Sequence, residues 1–156
     1  RNNMTISVDL IKKLRDSTSA GVMDCRRALE ETKGDMEKAG VLLKKWGVEN
    51  SVKKQGRDTN SGLIDSYIHL GGKVGVLVEL RCETDFVAKT DDFKKLIHEI
   101  SLQVVSMKPK NVEDLLKQEY IRDPKITVEE LIKQTIGILG ENITLTRFER
   151  MELGEK

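Results

Sequence analysis

Apolar residues in the first third of the chain recur at three- and four-residue spacing, a pattern that predicts amphipathic helices. Three such sets occur, and they consist of Leu10, Ile11 and Leu14; of Cys25, Ala28 and Leu29; and of Met36, Ala39, Leu43 and Trp46. A run of small and polar residues at 17–21 separates the first two sets. Gly34 suits the end of the second helix, and Asp35 suits the N-cap of the third. Residues 5–47 are therefore predicted to form three short helices.

A different pattern begins after residue 61. Two β-rich runs, 63–70 and 74–82, are joined through Gly71-Gly72, which predicts a two-residue hairpin. A helix is then expected to open near Thr90 and to stop before Pro109. Its apolar face consists of Phe93, Leu96, Ile97, Ile100, Val104 and Met107.

The C-terminal third carries clear boundary signals. Asn111 can cap a short helix, and Asp123-Pro124 predicts a turn. Thr127 with Glu130 matches a capping box at the start of the last helix, and residues 143–151 form the last predicted strand. The order of these elements, two strands, then helices, then a last strand, predicts an α+β fold. In such a fold, helices cover one face of a small antiparallel sheet.

These patterns divide the chain into three predicted parts: a helical bundle over residues 1–48, a linker over 49–61 and an α+β core over 62–156. The bundle resembles the ubiquitin-associated domain, and a core so small favours docking onto a partner. The polar linker is either a solvated tether or a basic contact with a partner. Residues 1–4, Arg-Asn-Asn-Met, lack the apolar centre of a signal peptide and look like a remnant of processing.

Composition narrows the class of protein. A hydrophobic fraction of 38% and a charged fraction of 34% fit a soluble globular protein, and no apolar run approaches the length of a membrane span. Residues 1–57 carry 13 Lys and Arg against 8 Asp and Glu, whereas residues 58–156 carry 14 against 18. This asymmetry is too small to predict a specific nucleic-acid-binding surface. At most, the excess of basic residues in 1–57 attracts this part of the chain to an acidic surface of a partner protein.

The side chains needed for catalysis do not occur in a usable arrangement. The chain has no GxxxxGKS/T loop, so direct nucleotide binding is not expected. His69 and His98 have no cysteine ligand or nucleophile nearby in the sequence. Cys25 and Cys82 are far apart and are predicted to be reduced, partly buried thiols. These observations predict a binding protein without a metal or cofactor, not an enzyme.

The most informative segment is Thr-Asp-Phe-Val at residues 84–87, between a predicted strand and a predicted helix. Connections of this kind present side chains outward. An exposed Phe gains about 1.5–3 kcal/mol only when something covers it. Position alone leaves two alternatives: Phe86 folds back over the end of the sheet, or a partner covers it.

Four segments resemble the elongation factor Ts family, and they appear in that family's order. They are residues 11–29; residues 53–57 leading to 62–64; residues 79–87, which end in Thr-Asp-Phe-Val; and residues 140–148. One such tetrapeptide would be weak evidence, but four ordered matches cover nearly the whole chain. The resemblance implies a guanine-nucleotide exchange factor that binds the GDP form of elongation factor Tu and promotes nucleotide release during translation elongation.

By resemblance, the segment Thr84, Asp85, Phe86 and Val87 contacts the GTPase domain of elongation factor Tu near its magnesium and phosphate site. Phe86 would act as a wedge that disturbs the magnesium coordination holding GDP. Asp85 would fix local hydrogen bonds or ion pairs.

The family also implies a second contact, in which the bundle grips a helix of the same GTPase domain. The matching residues are Val22, Met23 and Asp24, with Arg15 beside them. Met suits an adaptable apolar contact. The alternative for Val22 and Met23 is a place in the core of the bundle.

The chain departs from the family pattern at Ser19, Val22 and Arg81, and in the short stretch between Met107 and Thr127. Many members have a second core module or a helical insertion. Short members can compensate by forming a homodimer, for which the last strand is a candidate contact. The expected location is the bacterial cytoplasm, with an organelle matrix as the alternative.

Two rival functions remain open at this point. One is a protein-binding module without exchange activity, which would use the helical bundle. The other is a ribosome- or RNA-associated protein that uses the basic linker, for which binding would fall steeply with salt. Neither accounts for residues 84–87.

Overall fold

The computed structural model describes residues 5–156, and the prediction for residues 1–4 lies outside them. The helices are α1 Val8–Thr18, α2 Val22–Glu31, α3 Met36–Ser51, α4 Asp85–Ala88, α5 Asp91–Met107, α6 Val112–Lys117 and α7 Val128–Leu139. The strands are β1 Ser61–Ile68, β2 Val74–Cys82, β3 Glu119–Tyr120, β4 Asp123–Thr127 and β5 Ile143–Glu152. Short 3-10 turns occupy Val52–Lys54 and Leu70–Gly72.

The main sheet has the strand order β1-β2-β5, and both pairs are antiparallel. Its inner face packs against α5, whose apolar stripe contains the fully buried Phe93, Ile100 and Val104. The N-terminal helices form a separate apolar cluster around Leu14 and Leu29. The predicted α+β class, helices first and then a small antiparallel sheet covered by helices, is therefore confirmed.

The three-helix bundle contacts the core through α3 and α7. A Cβ atom placed on Gly137 would overlap the Cα of Gly47 and would lie 2.5 Å from its carbonyl oxygen. Only glycine allows two helix backbones to approach so closely. At the other end of the bundle, the Ser19 hydroxyl donates a 3.0 Å hydrogen bond to Asp92 Oδ1 in the first turn of α5.

The predicted helix starts are confirmed. Asp35, Thr90 and Asn111 cap α3, α5 and α6 with their side chains. At the start of α7, Thr127 and Glu130 form the reciprocal pair of hydrogen bonds of a capping box. These side chains satisfy backbone N–H groups that have no partner inside the helix.

Two local predictions were wrong. The β1–β2 connection runs from His69 to Lys73 through a 3-10 turn and is longer than a two-residue hairpin loop. Asp123-Pro124 opens β4, and the turn lies at the two residues before it. Pro124 is tolerated there because β3 and β4 form a separate two-stranded sheet, in which both strands are edges.

Buried polar side chains of α5 hold this small sheet. Glu99 Oε2 accepts hydrogen bonds from the Tyr120 hydroxyl (2.7 Å) and from Arg122 Nε (2.6 Å). Gln103 donates to the Glu119 carbonyl and accepts from the Ile121 N–H. A hydrophobic pattern cannot reveal such a contact, which explains why the sheet was missed.

The last turn of α3 and the 3-10 turn Val52–Lys54 occupy the first part of the predicted linker, residues 49–61. The division into residues 1–48, 49–61 and 62–156 stays a prediction.

Candidate partner-binding site

Residues 84–87 overlap a helix of one turn, α4 (Asp85–Ala88), which lies between β2 and α5 and has Thr84 as its N-cap. The Thr84 hydroxyl accepts a 3.3 Å hydrogen bond from the Val87 N–H and so caps this helix. Val87 and Ala88 are buried in the core. The Thr90 hydroxyl donates to the Val87 carbonyl (2.7 Å). One face of α4 is therefore anchored, and the other faces solvent.

Phe86 lies on the solvent face of α4. Its exposed fraction is 88%, the largest among the exposed large hydrophobic residues of the described chain. The alternative in which Phe86 covers the end of the sheet is therefore wrong. Asp85 and Thr84 are also exposed. Val87 differs from its neighbours, because it supports α4 from beneath and presents little surface of its own.

Two acidic residues connect the start of α4 to the segment after α7, through hydrogen bonds that run in both directions between the two segments. Glu141, just after α7, accepts two hydrogen bonds from Thr84: the N–H donates to Oε1 (3.0 Å) and the hydroxyl donates to Oε2 (2.7 Å). Glu83 in turn accepts a 3.1 Å hydrogen bond from the Asn142 N–H. We call these four residues, Glu83, Thr84, Glu141 and Asn142, the crossed clamp.

Arg57 extends the clamp to a third part of the chain. The Asn142 side-chain amide donates to the Arg57 carbonyl (2.8 Å), and Arg57 Nη1 lies 3.6 Å from Glu83 Oε1. Sequence reasoning did not single out Arg57, Glu83, Glu141 or Asn142. The available signal was that Arg57, Glu83 and Glu141 belong to three of the segments that resemble one family, and the structure brings these segments together.

A buried thiol also contacts the start of α4. Cys82 Sγ donates to the Thr84 carbonyl at 3.1 Å. Burial raises the pKa of the Cys82 thiol, and the nearby Glu141 carboxylate raises it further. Burial likewise raises the pKa of Cys25. Both cysteines are free, as predicted, but they are fully buried and not partly buried, and their raised pKa values favour the protonated thiols.

A second exposed patch lies at the start of α2. Val22 is 45% exposed and Met23 is 73% exposed, so their alternative assignment to the bundle core is wrong. Arg15 and Asp24 are exposed as well. The inner face of α2, with Cys25 fully buried, fixes the orientation of this patch.

The Ser19–Asp92 hydrogen bond connects the surroundings of the two patches. Ser19 lies in the loop that leads to Val22, and Asp92 lies in the first turn of the helix that follows α4. The structure thus ties the loop before one patch to the helix after the other. What this arrangement offers is an apolar and charged contact surface.

Residues 5–156 contain neither a cluster suited to a metal ion nor a helix that could span a membrane. No group of three or more His, Cys, Asp or Glu side chains there is arranged to hold a metal ion. In the same part of the chain, every helix is too short or too polar to cross a membrane.

Comparison with known proteins identifies relatives over nearly the whole chain. The family model described as elongation factor TS matches residues 83–156. Elongation factor Ts of Coprothermobacter proteolyticus is 45% identical, and the match covers 97% of this chain and 100% of the relative. The protein of that name from a Thermoanaerobacter species is 43% identical, with 96% of each chain covered. The Thermotoga neapolitana protein is 41% identical, with 98% and 100% covered.

The match with the Coprothermobacter protein runs over 197 aligned positions, whereas this chain has 156 residues. That relative therefore contains internal segments that this chain lacks, in line with the short core expected from the sequence. The relatives' shared name assigns them to translation elongation, and the similarity supports the same role here. This chain belongs to the elongation factor Ts family.

Proposed function

We propose that this chain is a guanine-nucleotide exchange factor that binds the GDP form of elongation factor Tu and promotes GDP release in the bacterial cytoplasm. The observation that carries the proposal is Phe86, an aromatic side chain that is 88% exposed on a capped and braced turn of helix. Within residues 5–156 the ring is left almost fully open to solvent, and a partner surface is the natural cover for it.

Phe86 acts as a wedge in this proposal. It enters the GTPase domain near the magnesium and phosphate site and displaces the groups that hold the metal and GDP. Burial of the ring contributes about 1.5–3 kcal/mol, a magnitude that a hot-spot residue can supply. Asp85, exposed next to it, pairs with a polar or basic group of the partner.

The bundle supplies the second contact. Val22 and Met23 form the apolar centre of the patch on α2, and Asp24 and Arg15 supply charge at its edge. They grip a helix of the same GTPase domain. This contact holds the factor in place when nucleotide is bound and also when it is absent, whereas the Phe86 contact is complete only when the nucleotide site is open.

Exchange follows from this difference. A factor that binds the nucleotide-free partner more tightly must be weakened by nucleotide to the same degree. A wedge that fits only the opened site supplies the differential affinity. The chain itself binds no nucleotide and catalyses no bond cleavage in this scheme.

The test is the release of a fluorescent GDP analogue from elongation factor Tu in stopped flow. We expect the parent protein to accelerate release and Phe86→Ala to lose most of the acceleration. Leu153→Ala is the matched control, because Leu153 is a similarly exposed apolar residue (78%) beyond the last strand.

Other results lead to different conclusions. If Phe86→Ala retained full acceleration, the wedge would be wrong and the effect would rest on Asp85 or the bundle. If the parent bound elongation factor Tu without accelerating release, the chain would be a binding module without exchange activity.

We also propose a homodimer through the outer face of the sheet. The strand register places Ile64, Ile68, Leu77 and Met151 on this face, with exposed fractions between 49% and 79%. These side chains form an apolar patch among charged neighbours such as Glu79 and Arg147, and such a patch on a short core suits a second copy of the chain. Light scattering after gel filtration should give a dimer that Leu77→Asp converts to a monomer. A parent that is monomeric at working concentration would contradict this proposal.

A further inference from the structure

Phe86 lies on a helix that is too short to be stable without contacts to the rest of the protein. Helices much shorter than about 12 residues are marginal in water, because the first turn fixes several backbone angles for one hydrogen bond. α4 has a single turn, from Asp85 to Ala88. Its order must therefore come from contacts outside it, and these contacts decide how well the Phe86 ring is oriented.

Apolar packing holds the buried face of α4, and a hydrogen bond from a nearby residue holds its C-terminal end. Val87 and Ala88 pack into the core, and Thr90 bonds to the Val87 carbonyl. At the start of α4 the Thr84 hydroxyl serves as the side-chain cap. The proton of a hydroxyl cap can rotate about its C–O bond, so the direction of the oxygen lone pairs is fixed only when that proton has a fixed acceptor.

We propose that Glu141 is the positioning residue for Phe86. Its two carboxylate oxygens take the two protons that Thr84 can donate, at 3.0 and 2.7 Å. With its proton committed to Glu141, the Thr84 hydroxyl keeps a lone pair directed at the Val87 N–H. A carboxylate acceptor makes stronger hydrogen bonds than a neutral one. Glu141 thus fixes the residue that caps α4.

The residues on either side of Glu141 fix its position. Gly140, with φ 73°, ends α7 and turns the chain towards β5, and the Asn142 N–H is bound to Glu83. The crossed clamp therefore connects the segment after α7 to the start of α4 twice, once through Glu141 and once through Glu83. Glu141 acts on the partner only through Thr84 and Phe86, and its proposed role rests on the exchange function proposed above.

The experiment compares Glu141→Ala with Glu129→Ala in the full chain. Glu129 is an exposed acid on α7 paired with Lys133, so its loss controls for charge and for helix stability. We expect Glu141→Ala to slow the saturating rate of GDP release from elongation factor Tu about tenfold, equivalent to about 1.4 kcal/mol. Glu129→Ala should release GDP at the parent rate.

A double-mutant cycle separates positioning from general loss of stability. Because Glu141 acts through the Thr84 hydroxyl, Thr84→Val combined with Glu141→Ala should be no slower than the slower single variant. Thr84→Ser keeps both donated protons, so it should slow GDP release less than Thr84→Val does. Additive losses, or a parent rate in Glu141→Ala, would overturn the proposal.

A measurement without the partner keeps this inference separate from the proposed function. Hydrogen exchange followed by mass spectrometry should show faster uptake in Glu141→Ala at residues 84–90 and unchanged uptake in the bundle. If the parent did not accelerate GDP release, the exchange function would fail, and this readout would still decide whether Glu141 orders α4. Unchanged uptake at 84–90 would refute the positioning role directly.

Discussion

Replacing Gly137 by Ala tests whether the bundle is fixed to the core. Gly137 lies in α7 against Gly47 of α3, and its added Cβ would meet the Gly47 backbone: it overlaps the Cα and lies 2.5 Å from the carbonyl oxygen and 2.6 Å from the carbonyl carbon. Nothing flexible lies at this point, because the obstacle is main chain. Relief therefore requires the two helices to move apart.

The size of the effect follows from two opposing contributions. Optimal carbon contacts are at about 3.5–4.0 Å, so the helices must separate by about 1 Å. Overpacking of this kind costs about 1–3 kcal/mol. Ala gains about 0.5–1 kcal/mol over Gly inside a helix. The net expectation is a loss of about 1–2 kcal/mol in the free energy of unfolding.

Two other glycines provide matched controls. At Gly47 an added Cβ would lie 3.2 Å from the Gln134 carbonyl oxygen, a tight but milder contact. At Gly40, also in α3, nothing lies within 4 Å. Urea denaturation should therefore rank the proteins, from least to most stable, as Gly137→Ala, Gly47→Ala, parent and Gly40→Ala, with Gly40→Ala gaining about 0.5–1 kcal/mol.

The ranking can fail in an informative way. If Gly137→Ala were as stable as Gly40→Ala, the helices would not be in backbone contact and the bundle would not be held by α7. If Gly137→Ala lost stability as expected, its affinity for elongation factor Tu should fall as well, because the patch on α2 would no longer be held in place relative to Phe86.

Two further predictions concern single residues. The Lys108 and Arg150 side chains lower the pKa of Glu152 to about 2, from an ordinary value of 4.5. Its contribution to stability is therefore complete above about pH 4.5 and is lost as pH falls towards 2. Glu152→Gln should flatten the fall of the denaturation midpoint over this pH range, and an unchanged slope would contradict the ion cluster. Lys33 holds φ 54°, a left-handed conformation that favours glycine. Lys33→Gly should raise the free energy of unfolding by about 0.5–1 kcal/mol, and a decrease in urea denaturation would contradict this.

Sequence reasoning reached the elements whose signals are local. A cap such as Thr127 and an apolar stripe such as that of α5 each depend on residues within a few positions of one another. The exposed Phe86 also could be anticipated, although only the resemblance to a family favoured a partner over the alternative in which it folds back.

The missed features depend on contacts between distant parts of the chain. Glu141 bonds to a residue 57 positions away, and Gly137 matters because Gly47 lies against it. The small sheet of β3 and β4 depends on Glu99 and Gln103, two polar residues buried on a helix whose pattern is otherwise apolar. Periodicity and turn signals carry no information about such pairings.

The role of α7 connects these missed features to function. Gly137 lies against the Gly47 backbone of the bundle, and Glu141, four residues later, accepts a hydrogen bond from Thr84 at the start of α4. Two weak contacts on one rigid support bind a partner more tightly than the same contacts on a loose tether, because the second forms at high effective concentration. In the proposed mechanism, rigidity would also make the wedge effective, because a patch anchored on the GTPase domain directs Phe86 into it only if the support between them does not yield. Weakening either of these two contacts at the C-terminal end of α7 should therefore reduce exchange, even though neither Gly137 nor Glu141 need contact the partner.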